Sequence, residues 1–133
     1  MESANVKVVQ EAYAAFGRGD MAALLACMTE DIQWRGAIGT ASHVPFSGER
    51  TGKAAVAEFF RIVAEAEDFE EFAPEQFIAQ GDTVVALGHY RSVVRATKRG
   101  FESEFAMVFT LRNGKIAAFK EFTDSATINA AFA

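Results

Sequence analysis

Two acids near the end of this chain stand where a carboxylate can do chemistry. Glu121 lies in the run Lys115 to Phe122, which alternates as a β-strand does, and it is in phase with Ala117 and Phe119. That face is expected to point inward. A carboxyl among apolar groups holds its proton to higher pH and can act as a general base near neutrality. A bulge at the strand end, or an Arg partner, would instead make Glu121 an ordinary surface acid. Asp124 directly precedes Ser-Ala-Thr-Ile. Its plain role is the N-cap of a terminal helix, and it can serve as a base only if its second oxygen faces a cavity.

Other side chains are candidates for holding a ligand. Tyr13 falls on the apolar face of a first helix with Val6, Val9 and Phe16. Its hydroxyl could donate to a carbonyl, although an aromatic on such a face is more often core. Trp34, Phe59, Phe105, Met107, Phe109 and Phe119 are candidate lining for an apolar cavity. His89, Tyr90 and Arg91 follow one another on one strand. If His89 and Arg91 point inward they bind a carboxylate or polarise a carbonyl; if outward, they decorate the wet face or a subunit interface. His43 lies in a long loop, where it is either a lid acid or base, or a surface histidine.

Several further signals fail. Gly48-Glu49-Arg50-Thr51-Gly52-Lys53-Ala54 is similar to a phosphate loop, but its spacing is one residue short and Ala54 replaces the required hydroxyl residue. Two distant His residues and the lone Cys27 make no metal-ligand cluster. No dinucleotide fingerprint is visible, so no cofactor or metal is expected.

The elements that must position these residues are readable in order. Ser3 can cap a helix to about Phe16, ended by Gly17-Arg18-Gly19, and Asp20 can cap a second from Met21 to Met28. A short strand follows, Ile32 to Arg35, and then a loop from Gly36 to Gly52 with the composition of a lid or pocket wall. Thr51 is placed to cap a third helix to Ala66, whose stripe Val56, Phe59, Phe60 and Val63 should cover a sheet. Phe69 to Gln80 reads as an edge or bulged strand because Pro74 cannot donate to a ladder. Thr83 to Arg95, Gly100 to Arg112 and Lys115 to Phe122 read as a three-strand meander, with Asn113-Gly114 as a hairpin turn. In the middle strand Phe101, Ser103, Phe105, Met107, Phe109 and Leu111 share one face.

The 133 residues suit one domain, and the thirteen Phe exceed what a minimal two-layer core requires. That excess points to an apolar cavity or a buried subunit interface. A net charge of −5 disfavours nucleic acid and anionic membrane surfaces as partners. No stretch approaches the ~20 apolar residues that span a bilayer. The single cysteine and the lack of a signal-like start make the cytoplasm the expected compartment.

The order helix, helix, strand, long loop, helix, antiparallel meander resembles the nuclear transport factor 2-like (cystatin-like) α+β cone, and within it the SnoaL-like branch related to ketosteroid isomerase. The resemblance rests on Val8 to Asp20, Asp31-Ile32-Gln33-Trp34, Gly48 to Val56, Arg112 to Ile116 and Phe119 to Asp124. It covers essentially the whole chain, residues 1–133. It implies a curved sheet enclosing a conical pocket for a small apolar organic ligand, and a homodimer. It does not name a reaction, because one fold hosts many chemistries. The ketosteroid isomerase acids would fall at Gly36 and Met107, so that machinery is absent. The epoxide hydrolase relatives need an Arg and two acids, for which only His89, Arg91 and Asp124 offer counterparts. The polyketide cyclases of the branch use one acid as a base in an apolar pocket, the role open to Glu121 or Asp124. The expected function is a cofactor-free acid/base cyclase, isomerase or hydrolase; the alternative is a non-catalytic ligand-binding or protein-interaction domain.

Overall fold

The structure, a computed structural model, describes residues 2–133. Helix α1 (Glu2–Arg18) buries Asn5, Val9, Ala12 and Ala15 along one face. It begins before the expected Ser3 cap, because the Glu2 carboxylate accepts from the Gly81 N–H at 2.8 Å and ties the helix start to the turn there. At the other end Gly19 takes φ +69°, its N–H donates to the Phe16 carbonyl, and the Asp20 N–H donates to that of Ala15. This paired closure is the Schellman motif.

Asp20 then caps α2 (Met21–Ala26), accepting from the Ala23 N–H at 3.1 Å. The helix stops two residues short of the expected Met28, which begins β1 (Met28–Gly36). That strand is longer than expected because Met28 and Gln33 to Arg35 pair in parallel with β6 (Lys115–Thr123), through a register shift that absorbs Thr29 to Asp31. The long loop also contains β2 (Gly48–Thr51), and Val44 and Phe46 within it are buried. Gly52, at φ +90°, takes the N-cap position of α3 (Lys53–Ala66) in place of the expected Thr51. Val56, Phe59 and Val63 are buried on α3.

Strands β3 (Glu67–Gln80), β4 (Thr83–Val94) and β5 (Gly100–Arg112) complete one six-stranded sheet in the order β2-β1-β6-β5-β4-β3. Strand β3 is an edge, and its register shifts at Pro74, where no ladder donor exists. Asn113 and Gly114 both take positive φ, 52° and 77°, as a primed hairpin turn requires. Helix α4 (Ser125–Phe132) closes the chain.

Alternation decides which side chains meet the interior. On β5 every residue from Phe101 to Leu111 in odd positions is buried. On β4 Val84, Ala86 and Tyr90 point inward, and His89 and Arg91 point out. The curled sheet, with α1 and α3 across its inner face, therefore encloses an aromatic interior. No helix among the described residues is long and apolar enough to cross a membrane.

Candidate active site

The interior is not completely filled. A cavity of roughly 80 Å³ lies between the inner sheet face, α1 and α3. Since a water needs about 10–15 Å³ by this kind of measure, the space suits a ring-sized organic molecule. Its wall is mostly aromatic. Trp34 stacks on Phe119 with ring centroids 3.8 Å apart, and Phe59 and Phe60 meet Trp34 edge-on. Tyr13 meets Phe109 edge-on at 5.8 Å.

Glu121 enters this space from β6, beside Met107 of β5. The residue as a whole is half-buried, but its carboxyl end is turned inward. Burial pushes its pKa up, and the Ala37 N–H, which donates to Oε1 at 2.9 Å, opposes that rise. Ala37 sits just past β1 at φ +56°, a conformation that L residues with a Cβ rarely adopt. Strain of this sort is found where surrounding structure demands a particular geometry. Here it accompanies a backbone donor aimed at a buried carboxylate.

Tyr13 donates its hydroxyl to the Met107 thioether at 2.9 Å. Sulfur is a weak acceptor, so a ligand carbonyl could take its place. Burial, with the nearby Glu121 charge, pushes the Tyr13 pKa well above its ordinary value, and the group stays a neutral donor. Tyr90 is affected in the same way, by burial and by the charges of Glu121 and Glu67. The Trp34 indole N–H is buried with no partner.

The structure thus brings Glu121, Tyr13, Trp34, Phe59, Tyr90, Met107, Phe109 and Phe119 to one cavity. Phe105 lies behind them, packed on Tyr13 and Phe72. Four candidates lie elsewhere. Asp124 caps α4, accepting from the Thr127 N–H at 3.2 Å and from its hydroxyl at 2.7 Å, so its oxygens are engaged at the surface. His43 is exposed, its Nε2 2.8 Å from the Asn129 carbonyl oxygen. His89 is held outside the sheet by Glu71 and Glu75, and Arg91 by Glu70, with Glu71 and Glu102 near. Both belong to the outer face because Tyr90, between them, takes the inner one.

One acid of the cavity escaped the sequence reading. Glu67, in what reads as an acidic turn, is the first residue of β3, and its side chain lines the cavity. It is 5 % exposed, and its Oε1 is buried without a hydrogen-bond partner. Burial pushes its pKa up to about 7 and the Glu121 charge adds to the rise; the nearby Ser92 hydroxyl, which could oppose it, donates to the Asp68 carbonyl oxygen instead. The available signal was phase: Glu67 is two residues before the half-buried Phe69 on the same strand face.

The fold that surrounds this cavity is shared with known proteins. The model of the SnoaL-like domain matches residues 9–119. The chain belongs to the SnoaL-like domain family. No curated protein matches it. Among solved structures, an NTF2-like protein from Burkholderia xenovorans LB400 is 32% identical, with a TM-score of 0.91 over 100% of this chain and 98% of that one. An NTF2-like protein from Burkholderia thailandensis E264 is 29% identical, with a TM-score of 0.85 and 97% of each chain covered. TerC, co-crystallized with polyporic acid, shares the fold at 24% identity and a TM-score of 0.81, over 97% of this chain and 98% of that one.

At Gly36, where the resemblance would put the ketosteroid isomerase base, the structure leaves little room for a side chain. A Cβ at Gly36 would lie 2.6 Å from the Phe59 ring and 3.1 Å from Trp34 Nε1. Phe59 fills the volume an acid at that position would need. Any acid chemistry has to come from another strand, and Glu121 of β6 supplies a carboxyl there.

Proposed function

We propose that this SnoaL-like protein is a cofactor-free acid/base enzyme acting on a small, neutral, largely apolar carbonyl compound, with Glu121 as the base. One observation carries the reading: a buried carboxyl, oriented by the Ala37 N–H, faces an aromatic cavity of ring size. A base so placed takes a proton from the carbon next to a carbonyl, and a cyclase or isomerase of this branch begins with that step. Tyr13 is the donor for the developing oxyanion, exchanging the Met107 sulfur for the ligand oxygen. Arg91 has no part in it.

Charge sets the ligand class. The residues lining the cavity include two acids and no Lys, Arg or His. An anionic ligand would meet like charge in a site of low dielectric, where repulsion is strong. Neutral carbonyl compounds, including unsaturated and polyketide-like ones, are the fitting class. TerC, of the same fold, was co-crystallized with an organic compound, which supports a small-molecule role for the cone.

A binding role without chemistry is the second reading, favoured by the unpartnered Trp34 indole N–H, a recognition group that proton abstraction does not require. Incubation of neutral ketones with the protein separates the two: altered product made by the parent and not by Glu121→Gln supports the enzyme, and a bound ligand recovered unchanged supports the binder. We also propose a homodimer through the outer sheet face, where Phe122 is 46 % exposed beside a shallow hollow. Sedimentation would show a single species of twice the chain mass.

A further inference from the structure

The second carboxyl of the cavity has no part in the mechanism above. Glu67 follows α3 directly, and it borders two spaces. One is the inner cavity. The other is an open groove bounded by Gly19, Asp20 and Met21 at the α1–α2 turn and by Ala64 of α3. Glu67 therefore stands at a neck between the interior and the groove, and Glu121 lies within the cavity beside Met107. Tyr90 of β4 lines the same cavity as both. A carboxyl oxygen left without a partner in such a place is costly unless a ligand or a proton uses it.

We propose that Glu67 is a second catalytic residue, the general acid that works opposite Glu121 on one bound carbonyl compound. This rests on the reading of Glu121 as base. The Glu121 carboxylate takes a proton from the carbon next to the carbonyl, and the C–H electron pair forms a new C=C bond. The carbonyl π pair moves onto oxygen, which receives the Glu67 proton. The result is a neutral enol, with Glu121 protonated and Glu67 ionised. Return of the Glu121 proton to the same or a conjugated carbon, and of the enol O–H proton to Glu67, restores both groups. The sequence balances with no oxidant or further reactant.

The roles follow from the partners. The Ala37 N–H favours the ionised form of Glu121, and the orphaned oxygen of Glu67 favours the protonated one. Around Glu67, α1 and α2 present Phe16 and Leu24, and α3 presents Phe60 and Val63. The titratable groups near it are Glu121 of β6, Tyr90 of β4 and Tyr13 of α1 on the cavity side, with Asp20 and Asp68 on the groove side. Asp68 is paired with Arg95, and the Ser92 hydroxyl donates to the Asp68 carbonyl oxygen. No unpaired cation faces Glu67 among the residues lining either space, and the groove lets it renew its proton from water.

The test is hydrogen–deuterium exchange into 2-indanone, 2-tetralone and cyclohex-2-en-1-one in D₂O, followed by NMR. The parent, Glu121→Gln, Glu67→Gln and Glu67→Leu are compared across the neutral pH range. We expect a bell-shaped parent profile, because the reacting pair carries one proton. Glu67→Gln should lose the alkaline limb and lower kcat by roughly 10²–10⁴-fold with KM unchanged, since an amide can donate a hydrogen bond but no proton. Glu67→Leu, which suits the apolar site and keeps the fold testable, should raise KM as well. A Glu67→Gln protein with the parent rate and profile, or one that loses the acid limb instead, overturns the role of Glu67 while an inactive Glu121→Gln leaves the base in place. A parent that exchanges none of the three ketones overturns both.

Discussion

Glu121 and Asp124 are three residues apart and meet opposite environments for a simple reason. The first is still inside a strand whose pleat turns it inward, and the second has left the strand, where its carboxylate is consumed by Thr127. Asp124→Ala should lower the thermal midpoint through the lost cap and leave turnover unchanged, a pattern that pairs calorimetry with a rate assay. Glu67 gives a second residue-scale expectation. Its folded pKa is raised, so the native state binds more protons than the unfolded state between the ordinary glutamate value and about pH 7. Stability from this group is full at low pH, falls as pH rises through that window, and is flat above it. Denaturation of Glu67→Gln and the parent at several pH values should show the variant gaining about 3 kcal/mol on the parent from acid to alkaline conditions. A difference that stays constant with pH would mean that Glu67 is solvated.

At the scale of elements, the meander was readable because its cues are local. The alternation on β5, the Asn113-Gly114 turn and the proline bulge on β3 each depend on neighbouring residues, and each is found where expected. The failures are non-local. Strand β1 is extended by parallel pairing with β6, a partner more than eighty residues away that leaves no local trace. The orientation of His89 and Arg91 was undecidable from sequence because glycine at 88 and polar residues at 89, 91 and 92 blur the alternation. Gly88 has its own tertiary reason. A Cβ there would come within 2.2 Å of the Ala73 carbonyl oxygen and 2.8 Å of Pro74 Cα, backbone atoms of the bulged edge that cannot step aside. Gly88→Ala should therefore cost about 1–3 kcal/mol, measured by urea denaturation. It should also loosen β3, which carries Glu67. Glu67 itself was missed because the strand reading began two residues late, at Phe69, and that displaced a buried acid into a turn.

The whole molecule is a layered object with its charges outside and its aromatic rings inside. The outer face carries acids and bases that neutralise one another, among them Arg95–Asp68 and Arg91–Glu70. The cavity inside is lined by two acids and by no Lys, Arg or His. This contrast predicts selectivity by charge. Trp34, the only tryptophan, is part of the cavity wall, so its fluorescence should respond to neutral bicyclic ketones and stay unchanged with carboxylates of the same shape. Equal responses to both would contradict an acid-lined cavity. The excess of phenylalanine left an apolar cavity and a buried subunit interface equally open; which acids face the interior depended on strand phase and curl. The most direct measurement is the initial rate of deuterium incorporation beside the carbonyl of 2-indanone, for the parent and for Glu121→Gln, with binding of each followed by Trp34 fluorescence. The account predicts a loss of at least about 100-fold in rate with binding retained. Equal rates in the two proteins would contradict the assignment of Glu121 as the base.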